Sequence, residues 1–226
     1  LYRQEAIFAR QGWPVSRTRL CDLLRQGAAV LDPIYRAMIA RLKQSYVIHV
    51  DDSPVTLMQP KRTAYAWLYL GDAANPYTLF DFTAGRGEEH PAAFLNGYSG
   101  FVQADGYSGY NAIHDSGARH LGCWAHVRRK FVEAQANSPA KASEALAYIR
   151  TLYAVEKEIV DEKVTSDATV SLRRTRAGPV LQKFGEWLEI ERRAVLPKSP
   201  FGEAVSYACN QWPTLNRYLD DAQFAI

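Results

Sequence analysis

Two aspartates stand where apolar runs give out. Asp51 follows YVIHV, and Asp105 follows GFVQA with Gly106 directly after it. A strand end can hold a carboxylate rigidly at an exposed edge, and the adjoining glycine lets backbone or substrate come close. If the two strands lie side by side, Asp51 and Asp105 reach one edge and can share hard, oxygen-preferring Mg²⁺ or Mn²⁺. Two such ions roughly 3.5–4 Å apart activate a water or a DNA 3′-hydroxyl and stabilise the leaving oxygen of a phosphodiester. Plainer roles fit the same residues, because Asp before Gly is a common turn residue and Asp at a strand end can be a cap. Asp52 is adjacent to Asp51, so an extended backbone sends the two side chains to opposite faces and only one should meet metal.

The densest polar constellation is His120-Leu-Gly-Cys123-Trp-Ala-His126-Val-Arg128-Arg129-Lys130-Phe131. Its Arg-Arg-Lys run, flanked by Trp124 and Phe131, suits phosphate contact with stacking surfaces alongside. A solvated helix face is the alternative. His120, Cys123 and His126 also have zinc-like spacing, but no fourth ligand is near. The preferred reading puts Cys123 and Trp124 in the core and turns His126 toward the aspartates, to contact phosphate or a metal-bound water. Asp81 and Arg86 follow the third apolar run, where Arg86 could reach a phosphate or simply be a loop arginine. Arg173, Arg174 and Arg176 form a second basic patch, suited to DNA or to keeping a helix soluble.

The elements that must position these groups are legible from periodicity. Residues 1–45 are expected to be a helical lead-in: Ser16 can cap RTRLCDLLRQGAAVL, and Pro33 sits where a second helix would begin. YVIHVDDSPVTL, AYAWLYLG and YTLFDFTAG are rich in β-branched and aromatic residues and read as three successive strands. After a short helix in GRGEEHPAAFL come GFVQADGY and ARHLGC as fourth and fifth strands, the latter leading into the helix WAHVRRKFVEAQA. From about residue 131 onward the apolar spacing is helical, with Gly178-Pro179 and Leu196-Pro197 marking breaks. The fold class expected is α/β, a mixed sheet with the element order of ribonuclease-H-like folds, with a helical lead-in and a largely helical C-terminal region.

The 226 residues can bury a sizeable core. No run of about twenty apolar residues suggests a membrane span. The opening LYRQEAIFARQG lacks the basic-then-apolar order of a secretion signal, so the chain reads as part of a longer cytoplasmic protein. Three separated cysteines make no disulfide framework. A net charge of +3, from 27 basic and 24 acidic residues, does not by itself indicate nucleic acid.

Taken in order, HVDDSPV, WLYLG, GFVQADGYSGY and CWAHVRRKF resemble the transposases of the insertion-sequence-66 family, and the resemblance extends to RQEAIFARQGWPVSRTRLCDL and AVSYACNQWPTLNRYL. The resemblance implies a DDE-type carboxylate triad on a ribonuclease-H-like core, cutting and joining insertion-sequence DNA with Mg²⁺ or Mn²⁺, two ions in the complete site. It also implies a bacterial, nucleoid-associated protein that is homo-oligomeric when complete. The family's Asp-Glu-Thr-Pro pattern falls on Asp51-Asp52-Ser53-Pro54 and its Asp-Gly-Tyr on Asp105-Gly106-Tyr107, making Asp51 and Asp105 the first two catalytic, metal-binding carboxylates. His126, Arg128, Arg129 and Lys130 are the DNA-contacting candidates. The expected organisation is a lead-in (1–45), a catalytic core (46–131), a helical insertion (132–200) and the start of a C-terminal core helix region (201–226) that stops before the third carboxylate. None of Glu186, Glu189, Glu191 or Glu203 lies in a matching context. Two departures stand out: Asp52 and Ser53 replace Glu and Thr, and the Glu-bearing segment is missing, which leaves a catalytically dead DNA-binding module as the alternative and a scaffold for protein contacts as a third reading.

Overall fold

The computed structural model describes residues 1–115 and 117–226, with side chains described outside 114–116. Five strands form one sheet: β1 (Val47–Met58), β2 (Lys61–Leu70), β3 (Thr78–Thr83), β4 (Phe101–Ala104) and β5 (Arg119–Gly122), in the order β3-β2-β1-β4-β5. β2 runs antiparallel to both its neighbours, while β1, β4 and β5 are parallel. This is the ribonuclease-H-like arrangement expected from the element order.

The period of two along each strand divides the apolar side chains between two cores. Ile48, Val50, Val102 and Ala104, with Trp67 and Tyr69 of β2, face one side. There they meet the C-terminal half of helix α2 (Arg17–Leu42), the segment around α3 (Glu89–Phe94) and Tyr110 and Ile113 at α4 (Asn111–Asp115). Val47, Phe101 and Leu121 face the other side, against α5 (Trp124–Ala134), α6 (Pro139–Asp161), α8 (Gly178–Ala194) and α9 (Pro200–Asn216). That second core lies over β4 and β5. Over β2 and β3 the same sheet face is open, with Phe80, Phe82 and Leu70 exposed.

Two helical boundaries differ from expectation. Ser16 caps α2 by accepting from the Arg19 N–H at 3.3 Å, but Pro33 lies inside that 26-residue helix instead of starting another. Proline removes the bond to the Ala29 carbonyl; that carbonyl is on an exposed turn, where water can replace the lost donor. Gly178-Pro179 is likewise no loop: α7 (Ser166–Leu172) passes through a π-helical turn, Arg173–Ala177, into α8, and Pro179 occupies the first turn, where its missing N–H costs little. Leu196-Pro197 does mark a break, and Ser199 caps α9 beyond it.

The π turn overturns the basic-patch reading of Arg173. Its side chain is only 4% exposed. Nε and Nη2 grip both oxygens of Glu156 at 2.9 and 2.7 Å. Nη1 donates to the Tyr218 and Asp221 carbonyls, and Nη2 to that of Phe224, at 2.7–3.0 Å. All five donors of the guanidinium are used, three of them on carbonyls of the C-terminal tail. Arg174 and Arg176 remain exposed and ion-paired to Asp220 and Glu158.

Replacing Arg173 by Met is expected to lower unfolding stability by about 3–5 kcal/mol, because Glu156 and three carbonyls lose their partner together. Urea denaturation measures this, and a loss under 1 kcal/mol would show the tail held by other contacts.

Candidate active site

The parallel pairing of β1 with β4 covers three residue pairs, Val47 with Phe101, Ile48 with Val102 and His49 with Gln103. β4 ends at Ala104, whereas β1 continues to Met58 alongside β2. Carrying the register on by two residues sets Asp51 opposite Asp105, on the sheet face that carries His49 and Gln103. Neighbouring strands lie about 4.8 Å apart, so the two carboxylates leave the sheet side by side where β1 loses its partner. Asp51 is thus in mid-strand by its β2 pairing with Leu68, yet at a strand end by its β4 pairing. Its side chain is 55% exposed. The Asp105 carboxylate accepts from the Tyr107 N–H at 3.0 Å, closing a turn over Gly106. Gly106 in turn donates its N–H to the Tyr207 hydroxyl of α9 at 2.9 Å, and an added Cβ there would stand 2.9 Å from the Tyr207 ring. Glycine is required by that close approach.

Asp52 points to the opposite face, as alternation dictates. It is 5% exposed and receives Arg86 in a bidentate pair, Nε at 3.0–3.2 Å and Nη2 at 2.9 Å. Arg86 Nη2 also lies 3.9 Å from Asp105, and the guanidinium stacks 3.9 Å over the Tyr107 ring, whose hydroxyl donates to the Arg86 carbonyl. Arg86 therefore ties Asp52, Asp105 and Tyr107 into one unit. The sequence left Arg86 between a phosphate contact and a plain loop arginine; its guanidinium is engaged by Asp52 and Tyr107.

His126, in the first turn of α5, brings Nε2 to 3.8 Å from Asp51. Its pairing with Cys123, above the opposing cost of burial, raises the imidazole above its ordinary value, and Asp51 and Asp105 add to this. Burial pushes the Cys123 thiol up, but hydrogen bonding and charge from His126 outweigh it, and the thiol sits below its usual range. His49, half-buried beside them, is pushed down by burial and favours the neutral imidazole. Asp51, His126, Arg128 and Arg129 line one groove along α5. Lys130 is turned instead toward the Tyr207 ring, 5.0 Å away. Trp124 and Phe131 are fully buried, Trp124 donating to the Leu215 carbonyl at 3.1 Å, so neither offers a stacking surface beside the arginines.

The spacing that hinted at zinc does not produce a site: His120 lies on the β5 face in register with Val102, away from Cys123 and His126. Among the described residues no three His, Cys, Asp or Glu side chains converge. Asp51 and Asp105 nevertheless suit Mg²⁺ or Mn²⁺, which accept two carboxylates and complete their shells with water and phosphate oxygens. Of the four glutamates considered for the third ligand, Glu191 is buried against Lys141, and Glu186 and Glu189 line a groove between α8 and α9. Sequence reading missed Tyr107, Tyr207 and the Asp52–Arg86 pair. The -Asp-Gly-Tyr- run carried a signal for Tyr107; nothing local marked Tyr207, about a hundred residues away.

Fold and site together define a ribonuclease-H-like domain that presents two carboxylates at the open end of its parallel strands. The sequence matches the transposase IS66 family over residues 1–226, and the chain belongs to that family. It is similar to three proteins of Sinorhizobium fredii described as uncharacterized: y4qI at 29% identity, and y4hP and y4jD at 26%. Each match takes in the whole of this chain but only 45%, 45% and 47% of the relative, so the chain spans a little under half their length. No helix among the described residues is long and apolar enough to cross a membrane.

Two measurements test this geometry. Arg86→Ala leaves Asp52 buried and unpaired and is expected to cost about 3 kcal/mol in chemical denaturation, with Arg86→Lys recovering only part because a single ammonium cannot make the bidentate pair. Because its folded-state value is raised, His126 contributes stability that is full below about pH 6.5 and fades as pH climbs through the raised value. Asp51→Asn should lower that value in a histidine NMR titration; an unchanged midpoint would mean that Asp51 and His126 are electrostatically independent.

Proposed function

We propose that this chain is most of the catalytic domain of a DNA transposase that cleaves and joins phosphodiesters at insertion-sequence ends, with Asp51 and Asp105 as two of its three metal-holding carboxylates. The observation that carries the reading is their shared register at the point where β1 outlasts β4. When bound, Mg²⁺ or Mn²⁺ supplies a lowered pKa for the attacking water or hydroxyl and charge stabilisation for the leaving oxygen. The chain's own residues do the rest. The β1 backbone and the Gly106 turn fix the two carboxylates at one edge, Arg86 holds Asp105 from the far side, and His126 sets its Nε2 3.8 Å from Asp51. Arg128 and Arg129, in the groove shared with Asp51, orient the phosphate backbone and give no sequence readout.

The C-terminal tail supports the placement of the third ligand. Asp221 accepts from the Tyr46 hydroxyl at 2.9 Å, Phe224 packs on Tyr46 and Phe101, and the Ala225 carbonyl accepts from Gln103 at 2.9 Å. From Tyr46 through Phe101 to Gln103, the tail climbs β4 toward Asp105. A third carboxylate joining the pair would meet it at this end of β4. A DNA-binding module without catalysis is the second reading, favoured by the lack of three convergent ligands among the described residues.

The full-length protein is expected to nick element-end DNA only with Mg²⁺ or Mn²⁺, and Asp51→Asn or Asp105→Asn should each reduce this on the order of 10³-fold. Normal cutting by either variant would refute the assignment. Arg128→Ala with Arg129→Ala should weaken DNA binding and reduce the slope of log affinity against log salt by about 1 per lost phosphate contact; an unchanged slope would place the phosphate path elsewhere.

A further inference from the structure

The sheet face that bears Asp51 continues, uncovered, onto β2 and β3. Asp51 pairs with Leu68, which pairs with Phe80; Ser53 pairs with Ala66, which pairs with Phe82. Antiparallel partners share a face, so both phenylalanines stand on the side of Asp51, two strand spacings or about 10 Å from it. They are 65% and 54% exposed. Next to them, a hollow over β1 takes in His49 and Asp51, with Leu68 and Leu70 on the side of the phenylalanines and Gln103, Cys123 and His126 on the other. Beyond His126 come Arg128 and Arg129.

We infer that Phe80 and Phe82 form a stacking platform for the unpaired bases of a DNA strand whose phosphates run along α5. This rests on the transposase reading and adds to it a site for single-stranded DNA. The arrangement has the two components that single-strand binding needs: aromatic faces, which accept any base, and cationic groups for the backbone, here Arg128 and Arg129 in a groove that Glu133 also lines. Here they stand on opposite sides of the candidate metal carboxylate. The rings are two residues apart on a strand, about 7 Å, and project from the same face. Asp81 between them points the other way, toward Tyr35 and Tyr69, so no carboxylate lies between the rings. The outer edge of β3 is engaged at the same place, because the Tyr35 hydroxyl donates to the Phe80 carbonyl at 2.8 Å. An added strand would have to displace that bond, whereas a base lying on the rings leaves it intact. Charge also favours DNA over an apolar protein segment, since a partner bridging this face meets two arginines on its other side.

The test uses fluorescence polarisation of the 226-residue chain with a blunt duplex and with the same duplex carrying a short unpaired extension. The wild type should prefer the extended DNA. Phe80→Ala and Phe82→Ala should each weaken that binding about tenfold and leave the blunt duplex within twofold. Phe80→Trp should retain the preference and Phe80→Leu should lose it, because stacking needs a π face while hydrophobic docking does not. Both side chains are exposed, so the variants are expected to fold, and the Trp and Leu forms control for each other. Equal losses on both DNAs, full function of Phe80→Leu, or self-association of the wild type that Phe80→Ala abolishes would each overturn the platform. Failure of the wild type to bind any DNA would overturn the transposase reading with it. Preference of this chain for the extension, together with no Mg²⁺- or Mn²⁺-dependent cleavage by the full-length protein, would sink only the catalytic assignment.

Discussion

The candidate site depends on a mismatch in strand length. β1 is twelve residues long and β4 four, and they pair over three. Where the pairing stops, β1 is still held by the antiparallel ladder to β2, so Asp51 sits on rigid backbone with one side open. An edge of this kind supplies both of the conditions metal chemistry places on a carboxylate: fixed position and access. The Asp105 turn meets it there because Gly106 packs under Tyr207, and α9 can reach Gly106 only because α5 and the following helices fold back over β4 and β5.

Two arginines fasten what surrounds this edge. Arg86 binds a buried carboxylate on the reverse face and steadies the Asp105 turn; Arg173 threads the π turn to grip Glu156 and three tail carbonyls. Pairs this far from water add less net stability than their geometry suggests, because desolvation opposes the attraction. Their effect is to admit one arrangement of loop and tail and to penalise others. The tail held by Arg173 is the one that passes Gln103 on its way along β4.

Much of this was legible in the sequence. The succession of strands and helices along the chain and the opposite facing of Asp51 and Asp52 follow from period-two and period-three-to-four patterns, which are local. Tertiary rules decided the remainder. Pro33 reads as a helix start because proline usually is one, and only the exposure of Ala29 makes it tolerable inside α2. Arg173 reads as surface charge because its five acceptors come from Glu156 and a tail more than forty residues further on. Trp124 and Phe131 read as stacking neighbours of the Arg-Arg-Lys run, but one helix face cannot be both core and groove, and the core took them. The carboxylate pair itself was visible only as two similar strand endings, and their adjacency required the parallel register.

The doublet Asp51-Asp52 has a consequence for how this domain tolerates insertions and deletions. Most strands announce a one-residue slip, since it turns a core side chain outward and a polar one inward. Around the site β1 carries two neighbouring acids, one on each face, while Val47, Ile48 and Val50 are all buried. A slip of one residue would set either Asp52 at the open edge with Ser53 opposite Arg86, or Val50 at the open edge with Asp51 opposite Arg86, so one of the two positions loses its acid in either direction. The doublet therefore pins the register, and the role of each aspartate is assigned by its neighbours, Arg86 on one side and His126 on the other.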